Sequence, residues 1–516
     1  MDNIRNNSRT LQFIFIKAVL DLYKDAIVTM EHSIGKWVFG EIHKKEPLTE
    51  QEVNNIKQAM QKLIDKNYPI KRIKVKREEA IKIFQNYGMT DKVKLLQQTG
   101  FKVVTLYELD GRYDYFYGPM WESTGVIKNF DVKFYNGGFI LGYPTDENLM
   151  VVNKFVEQRK LTNIFRETEK WLNILGIGEV GSLNEKISNG ELIDLIMISE
   201  ALHEKKIAQI SDMINEKKEI KAVFVAGPSS SGKTTFANRL AIQLNTLTEA
   251  GELLLTILAA FAQAESESAS ESSKMAYLHR IENGEVVAYL ERSYGYEKDE
   301  NGEYDFESIK SIDVKFFKDQ MKELFEGKEV EIPIFNFLTG YREKSGSKVK
   351  MPKNGILIIE GIHGLNPILT SSLDENNIFK IYISALTQLN LDNHNRISTS
   401  DVRRVRRIVR DSLSRGKNAE ETLLMWPSIK KGEEKNIFVY QEEADVMFNS
   451  TLVYELCVLK KKALEELDKV VADSSVYDEV KRLKAFLGFF DEIDKGLVPE
   501  NSILREFIGG SIFYKY

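Results

Sequence analysis

Apolar residues recur at spacings of three and four from Leu192 to Ile214, with charged residues between them, which predicts a long helix with one buried face. Pro47–Asp65 (PLTEQEVNNIKQAMQKLID) predicts a second helix, with Thr49 as N-cap and Glu52 as its reciprocal capping-box partner. Residues 10–30 mix apolar runs with a helical pattern, and residues 153–218 read as mostly helical. Val103–Tyr107, Asp131–Tyr135 and Phe139–Tyr143 predict strands separated by Gly- and Asn-containing turns. Farther along, the short apolar runs Ala222–Ala226 (AVFVA), Gly355–Glu360 (GILIIE) and Phe379–Ser384 (FKIYIS) have the character of buried parallel strands. Thr234–Leu244 and the arginine-dense Asp401–Arg415 predict helices between them. The fold class expected is therefore α/β, a doubly wound parallel sheet, preceded by an α+β region that ends near residue 155.

Residues 247–298 break this rhythm. An apolar run, Leu253–Ala264, is followed by the low-complexity stretch ESESASESSK, which cannot bury enough apolar surface to order itself and predicts a loop. A hairpin is expected next, from Met275–Ile281 and Glu285–Glu291 turning at Asn283–Gly284.

Composition narrows the function classes. With 516 residues, two or three domains are expected; 43% hydrophobic and 29% charged content are those of a soluble globular protein. A net charge of −6 gives no footprint for broad nucleic-acid binding, so an RNA partner is left open without support from charge. The single cysteine, Cys457, excludes an intrachain disulfide and reads as a buried small hydrophobe. Neither a secretory leader nor a membrane span is expected: MDNIRNNSRT has no apolar core, and Leu253–Ala264 is shorter than the ~20 residues a bilayer requires. A cytoplasmic location is expected, and homo-oligomerisation is left open.

The chemistry begins at GPSSSGKT, Gly227–Thr234, which satisfies G-x-x-x-x-G-K-[ST] between an apolar strand and a helix. Glycine lets backbone wrap closely around phosphate oxygens, and the following helix directs N–H groups and its positive dipole end at them. Gly227, Pro228, Ser229, Ser230, Ser231, Gly232, Lys233, Thr234 and Thr235 are thus candidate ATP-binding residues. Lys233 would reach the outer phosphates, and the Thr234 hydroxyl would bind Mg²⁺. Glu360, ending GILIIE before Gly361, stands where a second Mg²⁺ ligand is needed. The run Arg403, Arg404, Arg406, Arg407, Arg410, with Arg415 beyond, could form a lid over a triphosphate, because a guanidinium binds phosphate oxygens in pairs.

These residues carry a resemblance. Residues 221–246 and about 299–516 resemble the uridine kinase branch of the P-loop kinases, through AGPSSSGKTT, NGEYDFES, PIFNF-TG-RE, IIEGIHGLNP, YISALTQLNLDNHNRI, RRIVRD, WPSIKKGEEKNIF, EEADVMFNS and NSILREFIGGS. The resemblance implies that Asp305, Phe335 and Arg342 lie near a nucleoside, that Arg407 and Arg410 belong to the lid, and that Lys430 contacts phosphate. Phe335 replaces the tyrosine of animal-type uridine kinases, and Gly340 falls where they have histidine. The family's L-D-D-Y-F-like motif, which supplies the general base, has no counterpart between Leu244 and Asp299; Glu291 is the nearest stand-in and Glu265 another. Residues 1–155 resemble the second N-terminal domain of threonyl-tRNA synthetases, the editing domain, through RTLQFIFIKAV, PLTEQEV…NYPIKR and YDYFYGPMWESTG. The parent HxxxH and CxxxH positions hold Arg9, Phe13, Phe116 and Met120, a set that does not suit zinc. His32, His43, His203, His279, His363 and His394 form no metal cluster in sequence.

The organisation expected is a synthetase-type domain over 1–155, a helical connector over 156–220 and a uridine-kinase-like domain over 221–516 with an atypical insertion at 247–298. The function expected is ATP-dependent 5′-phosphorylation of a nucleoside, uridine or cytidine in type, with Lys233, Glu291, Arg407 and Arg410 at the chemistry. The alternative is an ATP-binding regulatory or RNA-binding protein with weak or no kinase activity, because the aspartate motif is missing. Editing hydrolysis on tRNA is disfavoured by the four substituted positions.

Overall fold

The computed structural model describes residues 2–146, 148–246, 308–309, 312–336, 341–352 and 355–513. The expected loop at Glu265–Lys274 and the hairpin at 275–291 lie outside the described residues. The chain packs as two compact units, one formed by Met1–Leu192, Thr387–Ser398 and Lys481–Asp491, the other by Ile193–Leu386, Thr399–Val480 and Glu492–Tyr516.

The first unit is α+β. A four-stranded antiparallel sheet has the spatial order Ile27–Ile34, Trp37–His43, Gly138–Gly142, Asp131–Tyr135, and a second sheet joins Ile70–Lys76, Val103–Leu109 and Arg112–Tyr115. Helix Asp2–Leu22 buries Leu11, Phe13, Ile14, Phe15 and Ile16 together, so its middle is apolar on every side. Phe15 stacks on Phe139 with centroids 4.0 Å apart, joining helix to sheet, and Ile56 and Met60 of helix Glu50–Asp65 complete that core. The capping box is present as expected: Thr49 Oγ1 accepts from the Glu52 amide and Glu52 accepts from the Thr49 amide. Helices Arg159–Leu175 and Val180–Ser188 also belong to this unit. Among the described residues no helix is long and apolar enough to cross a membrane.

A titration is built into this unit. Burial, with Glu41 and Glu169 adding like charge, raises the Glu31 carboxyl to about 7 against a hydrogen bond to Thr29. Between the ordinary glutamate value and about 7, the folded state holds a proton that the unfolded chain has released. Stability is expected to fall as pH rises through that window, by on the order of 1–3 kcal/mol, and Glu31→Gln to flatten the slope. Urea unfolding at about pH 5 and about pH 8 checks this; equal slopes for both proteins would contradict it.

The second unit contains the parallel sheet. Its spatial order is Leu357–Glu360, Ala222–Ala226, Ile378–Ser384, Val446–Asn449, and all three pairings are parallel. Each strand is a short apolar run because both faces are covered: Ala222–Ala226 and Leu357–Glu360 are buried throughout. Helix Lys233–Thr246 follows the first strand and helix Thr399–Ser414 precedes the last. Register sets Glu360 beside Val225 and Tyr382 beside Ala226, so the carboxyl ends of the strands share one edge. That edge is where an open α/β sheet places its ligand. An antiparallel ribbon, Glu329–Asn336 with Tyr341–Lys350, belongs to the same unit.

Candidate phosphate site

Residues Gly227–Gly232 turn from the buried strand Ala222–Ala226 into helix Lys233–Thr246. The turn is tight: a Cβ on Gly227 would lie 1.9 Å from the carbonyl oxygen of Ile383 on the neighbouring strand. A Cβ on Gly232, where φ is 82°, would lie 2.5 Å from Ile503. Ser230 takes φ 59° with a side chain present, a conformation that costs about 1–2 kcal/mol and must be held by its surroundings. Gly227→Ala is therefore expected to push two strands apart, lowering stability by about 1–3 kcal/mol and weakening any phosphate ligand of the loop. Thermal unfolding with an MgATP titration checks this, and an alanine variant with native behaviour in both would contradict it.

Lys233 is buried and its Nζ donates to the Pro228 carbonyl at 3.0 Å. Burial pushes its ammonium down, while Glu360 and Glu506 pull it up and Arg410 and Arg403 oppose them. Thr234 Oγ1 donates to Glu360 Oε2 at 3.0 Å, although the two are 126 positions apart. Glu360 is 1% exposed, and burial raises its carboxyl against the pull of Lys233. A hydroxyl and a carboxylate in contact beside a lysine are hard oxygen donors of the kind Mg²⁺ takes, so these residues fit that ion. Thr235 is fully buried, and its hydroxyl donates to Glu506 Oε2 at 3.2 Å. His363, two residues past Gly361, is buried and pushed by burial to about 3, so it is neutral.

The arginine helix Thr399–Ser414 presents Arg403, Arg406, Arg407 and Arg410 at i, i+3, i+4 and i+7, which is one helix face. Together with Arg404, each is 4% exposed or less. Arg403 Nε donates to the Ser229 carbonyl at 2.9 Å, Arg406 to the Ser230 carbonyl at 3.3 Å, and Arg407 to Ser229 Oγ at 2.7 Å. Carboxylates balance the charge: Glu433 pairs with Arg403, Glu479 and Asp401 with Arg404, and Glu455 with Arg406. Asp411 pairs with Arg407, Arg410 and Arg415. Burial alone would raise the Asp411 carboxyl; Arg410, Arg407 and Arg415 outweigh burial and hold it at about 2. The run is thus a packed brace against the phosphate loop, each of its arginines paired with a carboxylate.

Other candidates fall as follows. Phe335 and Arg342 stand directly opposite one another in the register of the antiparallel ribbon. Lys430 is 41% exposed and lies 3.8 Å from Glu434. Glu291, Glu265 and Asp305 lie outside the described residues. Glu433, Glu506 and Asp411 were not singled out from the sequence; WPSIKKGEEKNIF, NSILREFIGGS and RRIVRD, which contain them, were the available signal.

In the first unit, the four positions matching metal ligands of the synthetase pattern converge. The Phe13 and Phe116 rings are 5.3 Å apart, Met120 packs on the same core, and Arg9 donates to the Pro119 carbonyl at 3.0 Å. Among the described residues no group of three His, Cys, Asp or Glu could hold a metal. Beside Phe116 lies a buried charged cluster absent from the sequence reading. Lys92 Nζ is 3.1 Å from Asp114 and 2.8 Å from Asp392, and Asp114 meets His394 Nδ1 at 2.8 Å.

Comparison with known proteins finds similarity in two parts of the chain. Residues 222–455 match the profile of the Phosphoribulokinase / Uridine kinase family. The N-terminal region is similar to threonine–tRNA ligases: 29% identity over 170 residues with that of Thermotoga petrophila, and 28% over 176 residues with that of Paraburkholderia xenovorans. Those matches cover 31% and 33% of this chain and only 26% and 27% of the relatives. A solved structure described as a fructose transport system kinase from Silicibacter sp. TM1040 aligns with 47% of this chain and 98% of its own, at a TM-score of 0.27 and 14% identity. Residues 222–455 therefore carry a domain of the Phosphoribulokinase / Uridine kinase family, a P-loop kinase fold, in a chain whose N-terminal region is similar to threonine–tRNA ligases.

Proposed function

We propose that the second unit binds ATP with Mg²⁺ and transfers the terminal phosphoryl group to the 5′-hydroxyl of a nucleoside, uridine or cytidine in type. The observation that carries this is the contact of Thr234 Oγ1 with Glu360 Oε2, 3.0 Å, beside buried Lys233 at the carboxyl edge of the parallel sheet. The loop amides and Lys233 would hold the phosphates, and Thr234 with Glu360 would hold the cation. Bound there, Mg²⁺ would neutralise charge on the outer phosphates. Lys233 and the arginine face would stabilise charge in transfer, as the nucleoside oxygen bonds the γ-phosphorus and the bond to ADP breaks. The hydroxyl proton would pass to a carboxylate, with Glu291 the candidate named by sequence. Phe335 and Arg342, opposite one another on the ribbon, and Asp305 are proposed to face the nucleoside.

We propose 1–155, 156–220 and 221–516 as divisions of the sequence; in packing, 156–192, 387–398 and 481–491 belong to the first compact unit and 193–220 to the second. A sequence with a single cysteine, the buried Cys457, supports a reducing compartment such as the cytoplasm. A second reading, an ATP-gated binding protein without turnover, draws support from the engagement of Arg407 and Arg410 with Asp411. ADP release measured across a panel of nucleosides separates the two. Stimulation by a pyrimidine nucleoside is expected; bound MgATP with no nucleoside-stimulated turnover would sink the kinase reading.

A further inference from the structure

Three polar groups of Ser229 are held at once. Its N–H donates to Glu433 Oε1 at 3.1 Å, its carbonyl accepts from Arg403 at 2.9 Å, and its hydroxyl oxygen accepts from Arg407 at 2.7 Å. The next residue, Ser230, is the one with φ 59°. Two of these holds depend on Glu433, because the carboxylate oxygen that takes the Ser229 amide also pairs with the Arg403 guanidinium. Glu433 is 1% exposed, so neither interaction is weakened by water.

Helix Ala419–Asn436 is arranged to present that carboxylate. Its start is fixed by a capping box between Asn418 and Glu421. Trp426 and Glu433 are seven residues apart, hence on one face after two turns. The Trp426 ring lies 5.6 Å from the Arg403 guanidinium, so one helix face offers both a π-surface and a counterion. Arg403 is left with its Nε aimed at the loop.

We infer that Glu433 is a positioning residue of the phosphate loop: through the Ser229 amide and Arg403 it holds the outer turn of Gly227–Gly232 in the form that receives a polyphosphate. The inference rests on the ATP reading of that loop. Without the carboxylate, Arg403 becomes a buried cation lacking its partner, and Ser229, next to the left-handed Ser230, loses one hydrogen bond outright and the counterion behind a second. Glutamine at 433 could still accept the amide but could not neutralise the guanidinium. Aspartate retains the charge.

The test uses the full chain, with MgATP affinity measured by titration calorimetry and backbone amide exchange followed over peptides spanning residues 227–235. Glu433→Gln is expected to weaken MgATP about tenfold, the factor set by one charge-assisted hydrogen bond, and to speed exchange in the loop while other peptides are unchanged. Glu433→Asp is expected to recover part of the affinity, which a purely space-filling role would not produce. Arg403→Lys, which keeps the charge but loses the fork, should weaken MgATP similarly and serves if the glutamine variant does not fold. Unchanged or tighter MgATP binding by Glu433→Gln, with wild-type exchange in the loop, would overturn the inference. A wild-type chain that binds no MgATP would instead overturn the ATP reading, and this inference with it.

Discussion

Replacing Lys233 by methionine is expected to lower nucleoside phosphorylation by about 10³-fold, the scale of losing one preorganised charge at a reacting centre. The ammonium is buried among Glu360, Glu506, Arg403 and Arg410, so no mobile cation from solvent replaces it there. Methionine keeps the approximate length and apolar volume of the stem and removes the charged donor of Lys233. Its hydrogen bond to Pro228 is also lost, which should loosen the loop modestly. Initial rates of ADP formation under saturating MgATP read the effect. A variant within tenfold of wild type would remove Lys233 from the chemistry. A variant that no longer unfolds cooperatively would show the residue to be structural.

The second large effect belongs to the first unit. Lys92→Met is expected to destabilise it by about 3–5 kcal/mol, because breaking a buried ion pair leaves uncompensated charge. Asp114 and Asp392 are both fully buried on either side of the ammonium. Burial would lower the Lys92 ammonium on its own; Asp114, Asp392 and Asp91 together drive it well above the ordinary lysine value. Asp114 is held well below the carboxylate range, as Lys92 and His394 outweigh its burial. Asp392 is less favourably placed: burial and the neighbouring Asp91 raise it against Lys92, and Asn395 donates to both of its oxygens. Pairing Lys92→Met with Asp392→Asn should accordingly cost less than the two single changes added together. Denaturant unfolding of the four proteins in that cycle gives the answer; strict additivity would mean that the two residues are not coupled.

The legibility of this protein in its sequence followed the distance over which each feature is encoded. The phosphate loop is contiguous, and its strand, turn and helix are all present within Ala222–Thr246. Glu360 could be placed because an apolar run ending in Glu-Gly has one natural position, the strand's end at the sheet edge. The Thr49–Glu52 cap lay within four residues and formed as read. Strands Ile27–Ile34 and Ile70–Lys76 escaped notice for different reasons. The first alternates in burial but carries a bulge between Met30 and His32, and the second, IKRIKVK, is mostly exposed and basic. The helix at Asp2–Leu22 was clear only in part, since apolar residues on every side conceal a helical period.

The site's electrostatics were much less legible. The arginine run was legible as an arginine-dense helix, yet its partners Glu433 and Glu455 arrive from later helices. A run of arginine suggested a cationic lid; that each of its arginines also pairs with a carboxylate could not be read from the run itself. Glu506 reaches Thr235 across 271 positions and Asp392 reaches Lys92 across 300. No periodicity or short motif records such pairs, because only the completed chain path brings them together. The synthetase-like positions show the converse case: Arg9, Phe13, Phe116 and Met120, far apart in sequence but legible from the resemblance, come together through packing and a hydrogen bond.

The central claim is that Gly227–Thr234 and Glu360 form a phosphoryl-transfer site for a nucleoside. Its most direct test is to incubate the full chain with Mg²⁺, ATP labelled at the γ-phosphorus and a pyrimidine nucleoside, then identify where the label resides. The account predicts label in the nucleoside 5′-monophosphate, in equal amount to the ADP formed, and its loss with Lys233→Met. Label that stays in ATP, or appears only as inorganic phosphate regardless of nucleoside, would contradict it.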